Sequence, residues 1–199
     1  MKRYFQFSVL SMVFTYLLIF VGGLVRVSGA GMGCPDWPKC FGRWIPPTSL
    51  SQLPDYIDPE KFNLVLAWVE YLNRLFGALV GLIILITFIL GYLHFKSSKK
   101  VLYSISGAFL LTLLEGWVGA KLVDTVLDPI TITIHLLLAL VIIGLIILSG
   151  VIYFGFGWVK SVAGEASPWI AGIIIVLTYL WLIRYSTSYP DLEIDEQVI

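Results

Sequence analysis

Residues 68–77 read Trp68-Val69-Glu70-Tyr71-Leu72-Asn73-Arg74-Leu75-Phe76-Gly77, near the start of an apolar run over about 65–93. A run of that length exceeds the ~20 residues an α-helix needs to cross a bilayer. Its polar residues Glu70, Asn73 and Arg74 are spaced i, i+3, i+4, which puts them on one helix face. Ionisable groups at membrane depth are costly and usually face a bundle interior or a ligand. Two readings follow. Glu70 and Arg74 can form an intrahelical pair while Asn73 ties two helices together. Alternatively, an acid and a cation line a cavity for a charged or redox ligand. Three polar residues together at one depth favour the second.

Working outward, hydropathy gives further spans at about 5–25, 102–122 and 130–154, and a shorter fifth at about 168–184. Composition agrees. Of 199 residues, 58% are hydrophobic and 13% charged, against about 25% charged in a soluble domain, so the main partner is the lipid bilayer. The net charge is zero and no basic stripe is present, which excludes nucleic acid as the partner. Met1-Lys2-Arg3 and the apolar run after it imitate a signal peptide, and Ser28-Gly29-Ala30-Gly31 imitates a cleavage site. That run, however, reaches Val25, spanning length rather than signal length, and reads as a retained first helix.

Lys2 and Arg3 precede the first span, Lys96, Lys99 and Lys100 lie between the second and third, and Lys160 lies between the fourth and fifth. By the positive-inside rule these flanks, with the N-terminus, are cytoplasmic. The loop 26–64, the turn 123–129 and the acidic tail Asp191–Glu196 then lie outside. The expected fold is an all-α membrane protein, an antiparallel four-helix transmembrane bundle over 1–154 with outer loop 26–64. Residues 155–199 read as a linker, a fifth transmembrane helix and the tail. Gly77, Gly81, Gly107, Gly116 and Gly119 are expected to offer close-approach surfaces between helices.

The remaining polar residues of the spans gather at the same outer end. His135 lies about one and a half turns into span 4, where an imidazole in lipid needs a partner or a ligand; haem or a metal is the favoured ligand. Glu115 lies about two turns from the outer end of span 3, either as a proton carrier or as a hydrogen-bonding group facing the bundle. Arg26 ends span 1, as an interfacial anchor or as a cation for a carboxylate such as a propionate. His94, beside Lys96 at the other membrane face, reads as a snorkelling interfacial residue. Cys34 and Cys40 both fall in the outer loop, with Trp37 and Trp44. On an oxidising side a disulfide is the simplest expectation. It either staples the loop or, as a short exposed bridge, exchanges electrons; the spacing fits no common zinc site.

The stretch Gly22-Gly23-Leu24-Val25-Arg26-Val27-Ser28-Gly29-Ala30-Gly31-Met32-Gly33-Cys34-Pro35-Asp36-Trp37-Pro38-Lys39-Cys40-Phe41-Gly42 resembles the first outer loop of the heme A synthase family. Glu70-Tyr71-Leu72-Asn73-Arg74 resembles its second-helix motif, and Ile134-His135-Leu136-Leu137-Leu138-Ala139 its fourth. The likeness covers about residues 10–150. It implies oxidation of a ring methyl of haem O to the formyl of haem A, with haem b as cofactor in a second bundle. It further implies Glu70 as the functional acid, His135 as axial ligand to haem iron, and a Cys34–Cys40 disulfide. The cofactor-binding set expected around His135 is Asn73, Arg74, Arg26 and Glu115. Two departures stand out. Asn73 occupies the place of the family's second-helix histidine and is a poor axial ligand. The chain also holds one bundle where typical members hold two.

Three functions therefore compete. The first is a heme A synthase-like oxidoreductase in a bacterial or archaeal cell membrane, working as a homo-oligomer or with a second half-length bundle. Haem O synthase and oxidase-assembly proteins are its candidate partners. The second is a non-catalytic haem-binding or haem-delivery protein for oxidase assembly. The third is a quinone-linked thiol oxidoreductase, ranked last because such relays need more than two cysteines.

Overall fold

A computed structural model of the chain describes residues 2–55, 57–59, 62–96 and 99–163. The expected fifth span, residues 164–167 before it and the acidic tail lie outside the described residues, while 155–163, expected as linker, continue the last helix. Four helices dominate: α1 (Lys2–Val27), α2 (Leu64–His94), α3 (Lys99–Asp124) and α4 (Pro129–Ala163). Single turns of 3-10 helix occur at Ala30–Met32 and Leu50–Gln52. Among the described residues there is no strand, and each long helix contains a stretch long and apolar enough to cross a membrane. The all-α bundle read from hydropathy is what forms. One compact unit covers Met1–Tyr153. A second begins at Phe154, and of it only the helical backbone to Ala163 is described.

The helix ends have local causes. Asn63 caps α2, its side-chain oxygen accepting from the backbone N–H of Val65 and Leu66 at 3.0 and 3.1 Å; these are donors an α-helix cannot satisfy internally. Asp128 caps α4 in the same way, accepting from the backbone N–H of Thr131 at 3.0 Å and its hydroxyl at 3.1 Å. Pro129 follows at the first helical position, where no N–H is needed. Between α3 and α4 the chain reverses in four residues. The N–H of Leu127 returns to the Leu122 carbonyl at 2.9 Å and that of Val126 to Val123 at 3.2 Å. Such a helix stop normally uses glycine. Here Val126 and Leu127 take φ of 53° and 59°, a conformation costing about 1–2 kcal/mol for an L-residue.

Tyr4 near the start of α1 packs against Phe95 at the end of α2, ring centroids 4.9 Å apart, so these helices run antiparallel. The short α2–α3 and α3–α4 connections continue the pattern. The end of α1, the start of α2, the end of α3 and the start of α4 therefore share one end of the bundle, the loop end. The core lies further along, where Val80 and Ile84 of α2 meet Ile105 and Ala108 of α3 and Ile142 and Ile146 of α4. Met12, Phe14 and Leu18 of α1 pack against it. Ser11 and Thr87 join α1 to α2 at 2.8 Å in a fully buried contact. The Thr87 hydroxyl donates to the Ile83 carbonyl, which leaves Ser11 as the donor. Hydrogen bonds of this kind contribute about 0.6 kcal/mol between helices in lipid.

The glycines depart in part from expectation. Gly107 and Gly119 face Leu145 and His135 of α4 closely, but nothing approaches Gly116 within 4 Å. Gly77 faces Leu18 of α1, whereas Gly81 faces Thr112 of α3. The two therefore serve different neighbours rather than one small-residue seam. The tightest approach between helices is at Gly91, which sequence spacing did not single out; a Cβ there would lie 3.0 Å from Ile105 and 3.2 Å from Tyr4.

Candidate functional site

The loop between α1 and α2 folds back onto the first turns of α2. Gly33 lies so close that a Cβ there would overlap the Leu66 carbonyl and the Ala67 amide. Only glycine permits that backbone-on-backbone contact. Cys34 and Cys40 form a disulfide with Cα atoms 4.7 Å apart. Both are buried against Phe41 and Ala67, with Leu53, Ile57, Phe62 and Tyr71 around them. The bridge is therefore enclosed, with 0% and 1% of the two cysteines exposed. This removes the premise of a solvent-exposed bridge open to exchange, and favours the staple. Asp36 fixes the turn inside the bridge, its carboxylate accepting from the N–H of Phe41 and Gly42 at 2.6 and 2.9 Å.

Arg74 locks this loop to α2. Its Nε donates to Glu70 Oε1 at 3.0 Å. Its Nη1 donates to the carbonyls of Asp36 at 2.7 Å and Lys39 at 3.0 Å, and its Nη2 to that of Cys34 at 3.1 Å. The flat, forked guanidinium suits such convergent acceptors in a way an ammonium does not. The Glu70–Arg74 pair is thus the intrahelical one, enlarged by three carbonyls that no spacing rule could have shown. Arg74 is spent on the protein itself. Glu70 is 8% exposed, and its negative charge is matched on the spot.

His135 and Glu115 meet across α3 and α4. Nδ1 of His135 lies 3.2 Å from Glu115 Oε1, with side chains 33% and 15% exposed. The contact is at ion-pair distance but off the line of a hydrogen bond. Gly119, one turn beyond Glu115, leaves room for the ring, and a Cβ there would stand 3.4 Å from Cε1. The Asp128 cap holds the turn that begins α4. Its carboxyl is kept below the usual aspartate range, chiefly by the Thr131 N–H. His94, at the opposite end of the bundle, places Nδ1 2.9 Å from the Leu90 carbonyl.

Several buried polar atoms of the loop end have no hydrogen-bond partner among the described residues: Arg26 Nη1, Asn73 Oδ1, Glu115 Oε2 and His135 Nδ1. Each comes from a different helix. At a rise of 1.5 Å per residue, Asn73 and Glu115 lie about 13 Å from their helix ends and His135 about 9 Å, with Arg26 at the rim. An unsatisfied buried polar group costs about 1–3 kcal/mol. Among the described residues, hydroxyls of Ser8 and Thr15 in α1 also lack a partner away from this end, but the four at the loop end are charged, amide or imidazole groups, one from each helix, and make it the candidate site. No group of three or more metal-binding side chains occurs among the described residues, so a bare metal cage is not what these atoms form.

The chain is 36% identical over 147 residues to the heme A synthase of Shewanella oneidensis, covering 70% of this chain and 42% of that protein. It is 32% identical over 151 residues to the heme A synthase of a Wolbachia of Brugia malayi, covering 65% and 45%. With that of Alkalihalophilus pseudofirmus the identity is 25% over 190 residues, 94% of this chain and 59% of the relative. The chain thus spans about half the length of the curated relatives it matches. No solved structure gives a significant match. A family model, COX15-CtaA, cytochrome oxidase assembly protein, matches residues 5–185 and takes in α2, α3 and α4 entire with almost all of α1. The chain belongs to the COX15-CtaA family.

Proposed function

We propose that the bundle binds haem at its loop end and oxidises the ring methyl of haem O to the formyl of haem A. The single observation that carries this reading is the set of unpartnered buried polar atoms contributed by α1, α2, α3 and α4. The donor chemistry fits haem: an imidazole for the iron, a guanidinium at the rim for a propionate, and apolar helix walls for the macrocycle. His135 would hold the iron and Arg26 a propionate. Bound iron would supply the oxidising chemistry, with an external electron acceptor and an oxygen source completing the conversion of methyl to formyl. Glu70, buried on α2 near the same end, would be the carboxylate that stabilises positive charge developing at the methyl carbon. Its fixed partner Arg74 keeps it from turning away. Asn73 offers an amide where an axial histidine would otherwise stand.

Family membership and the apolar spans support an integral membrane protein in a bacterial or archaeal cell membrane. The disulfide supports placing the loop end on the oxidising side, with the N-terminus cytoplasmic. The chain has two histidines, and His94 lies at the far end bonded to Leu90. A haem b cofactor beside a haem O substrate therefore needs a second bundle, from another copy or another half. A second reading, a haem binder that only delivers, is favoured by one observation: Asn73 in place of a second histidine.

Extraction of pigment from protein purified out of haem O-producing cells separates the two. Haem A in the extract supports the enzyme; haem B alone overturns it in favour of the binder. His135→Ala is expected to abolish the haem absorption band in folded protein. Glu70→Gln is expected to retain haem and lose product, and a fully active Glu70→Gln would remove Glu70 from the mechanism.

A further inference from the structure

We propose that Glu115 is a positioning residue for His135, accepting a hydrogen bond from Nδ1–H so that Nε2 is the nitrogen presented to iron. The inference rests on the reading of His135 as the haem ligand and adds a second residue to it. Glu115 and His135 lie on different helices, yet Oε1 and Nδ1 stand 3.2 Å apart. The other ionic pairs at this end are closed among themselves, Glu70 with Arg74 and Lys121 with Asp124. His135 is thus the ionic partner Glu115 has. A small turn of the imidazole would align the Nδ1–H with the carboxylate, and Gly119 gives the ring room beside it.

The chemistry follows from the tautomers of a neutral imidazole. One nitrogen carries the proton and the other carries the lone pair that binds metal. Nothing in an apolar helix would otherwise choose between them. A carboxylate at Nδ1 chooses: it accepts a hydrogen bond from Nδ1–H, which leaves the lone pair on Nε2 and raises its donor strength, as outer carboxylates do for metal-bound histidines. Glu115 is a residue that acts through another, touching neither iron nor the reacting methyl.

With two histidines in the chain, nitrogen-15 labelling of histidine gives a spectrum of two rings. In the ligand-free full chain in detergent at alkaline pH, His135 is expected as the Nδ1–H tautomer. His94, held by the Leu90 carbonyl, is an internal reference, and His94→Gln identifies its signals. An Nε2–H tautomer at His135 overturns the proposal, and this measurement needs neither haem nor a Glu115 variant. Added haem b then tests the consequence. Glu115→Leu is expected to lower haem affinity about 10- to 100-fold, and to move the midpoint potential positive because ferric iron loses a stronger donor. Glu115→Gln, which keeps an acceptor oxygen, should restore part of the affinity. Parent-like affinity and potential in Glu115→Leu overturn the proposal. Haem binding that survives His135→Ala instead overturns the ligand assignment, while the tautomer result still reports on the Glu115 contact.

Discussion

Replacing Arg74 by Gln should release the disulfide loop from α2 without unfolding the bundle. The substitution removes a charged donor from the carbonyls of Cys34, Asp36 and Lys39 and from Glu70. Hydrogen bonds from a charged group are worth about 1.5–3 kcal/mol each, but they are not additive within one network. Removing one partner of a buried ion pair costs about 3–5 kcal/mol, and that is the better guide. At 1.4 kcal/mol per factor of ten, local opening of the loop becomes about 10²- to 4 × 10³-fold more frequent. Amide hydrogen exchange reads this directly. The N–H groups of Phe41 and Gly42, bound by Asp36, should lose protection by that factor, while those of Ile83 and Ile84 in mid-α2 stay unchanged. Arg74→Lys should fall between, keeping a charge for Glu70 but lacking the fork for three carbonyls. Protection at Phe41 and Gly42 within about threefold of the parent in Arg74→Gln would refute the clasp.

Other substitutions test other parts of the account. Gly33→Ala forces a methyl into the Leu66 carbonyl and should expose the same loop amides, with the Cys34–Cys40 bridge still found by mass spectrometry without reductant. Ile84→Ala deletes a side chain 1% exposed at the centre of the core and should cost about 2–5 kcal/mol in unfolding measurements in detergent. Asp128 has a pKa lowered in the folded protein, chiefly by the Thr131 N–H. Its contribution is therefore present above the ordinary aspartate pKa and is lost as pH falls through the folded value. Exchange at Thr131 should accelerate over that acid window in the parent and show no such step in Asp128→Asn.

The bundle was legible because spanning length and apolarity are properties of contiguous residues. The first four expected spans fall within the observed helices, and the caps at Asn63 and Asp128 account for where α2 and α4 begin. Glu70 and Arg74 were legible as a pair because i, i+4 spacing is local. The rest of the clasp was not, since its acceptors are main-chain carbonyls that any residue type would supply. Gly33 likewise resembles any loop glycine until α2 is laid against it. Glu115 and His135 were each placed near the loop end by depth. Their meeting was not legible, because depth gives no rotation about the helix axis.

The four-residue reversal between α3 and α4 acts as a gauge block. Glu115 stands nine residues before the end of α3 and His135 six after the start of α4, and only a connection of fixed length brings the two level. Each residue of helix turns the chain by about 100° and advances it 1.5 Å. One residue inserted between Glu115 and Asp124 would swing Glu115 to another side of α3. The same residue inserted at Thr125, outside both helices, would leave each face as it is and alter only the spacing. Val126 and Leu127 hold their backward twist with no glycine to ease it. The reversal is thus tuned for length rather than for comfort, and the alignment of acid and imidazole is inherited from it.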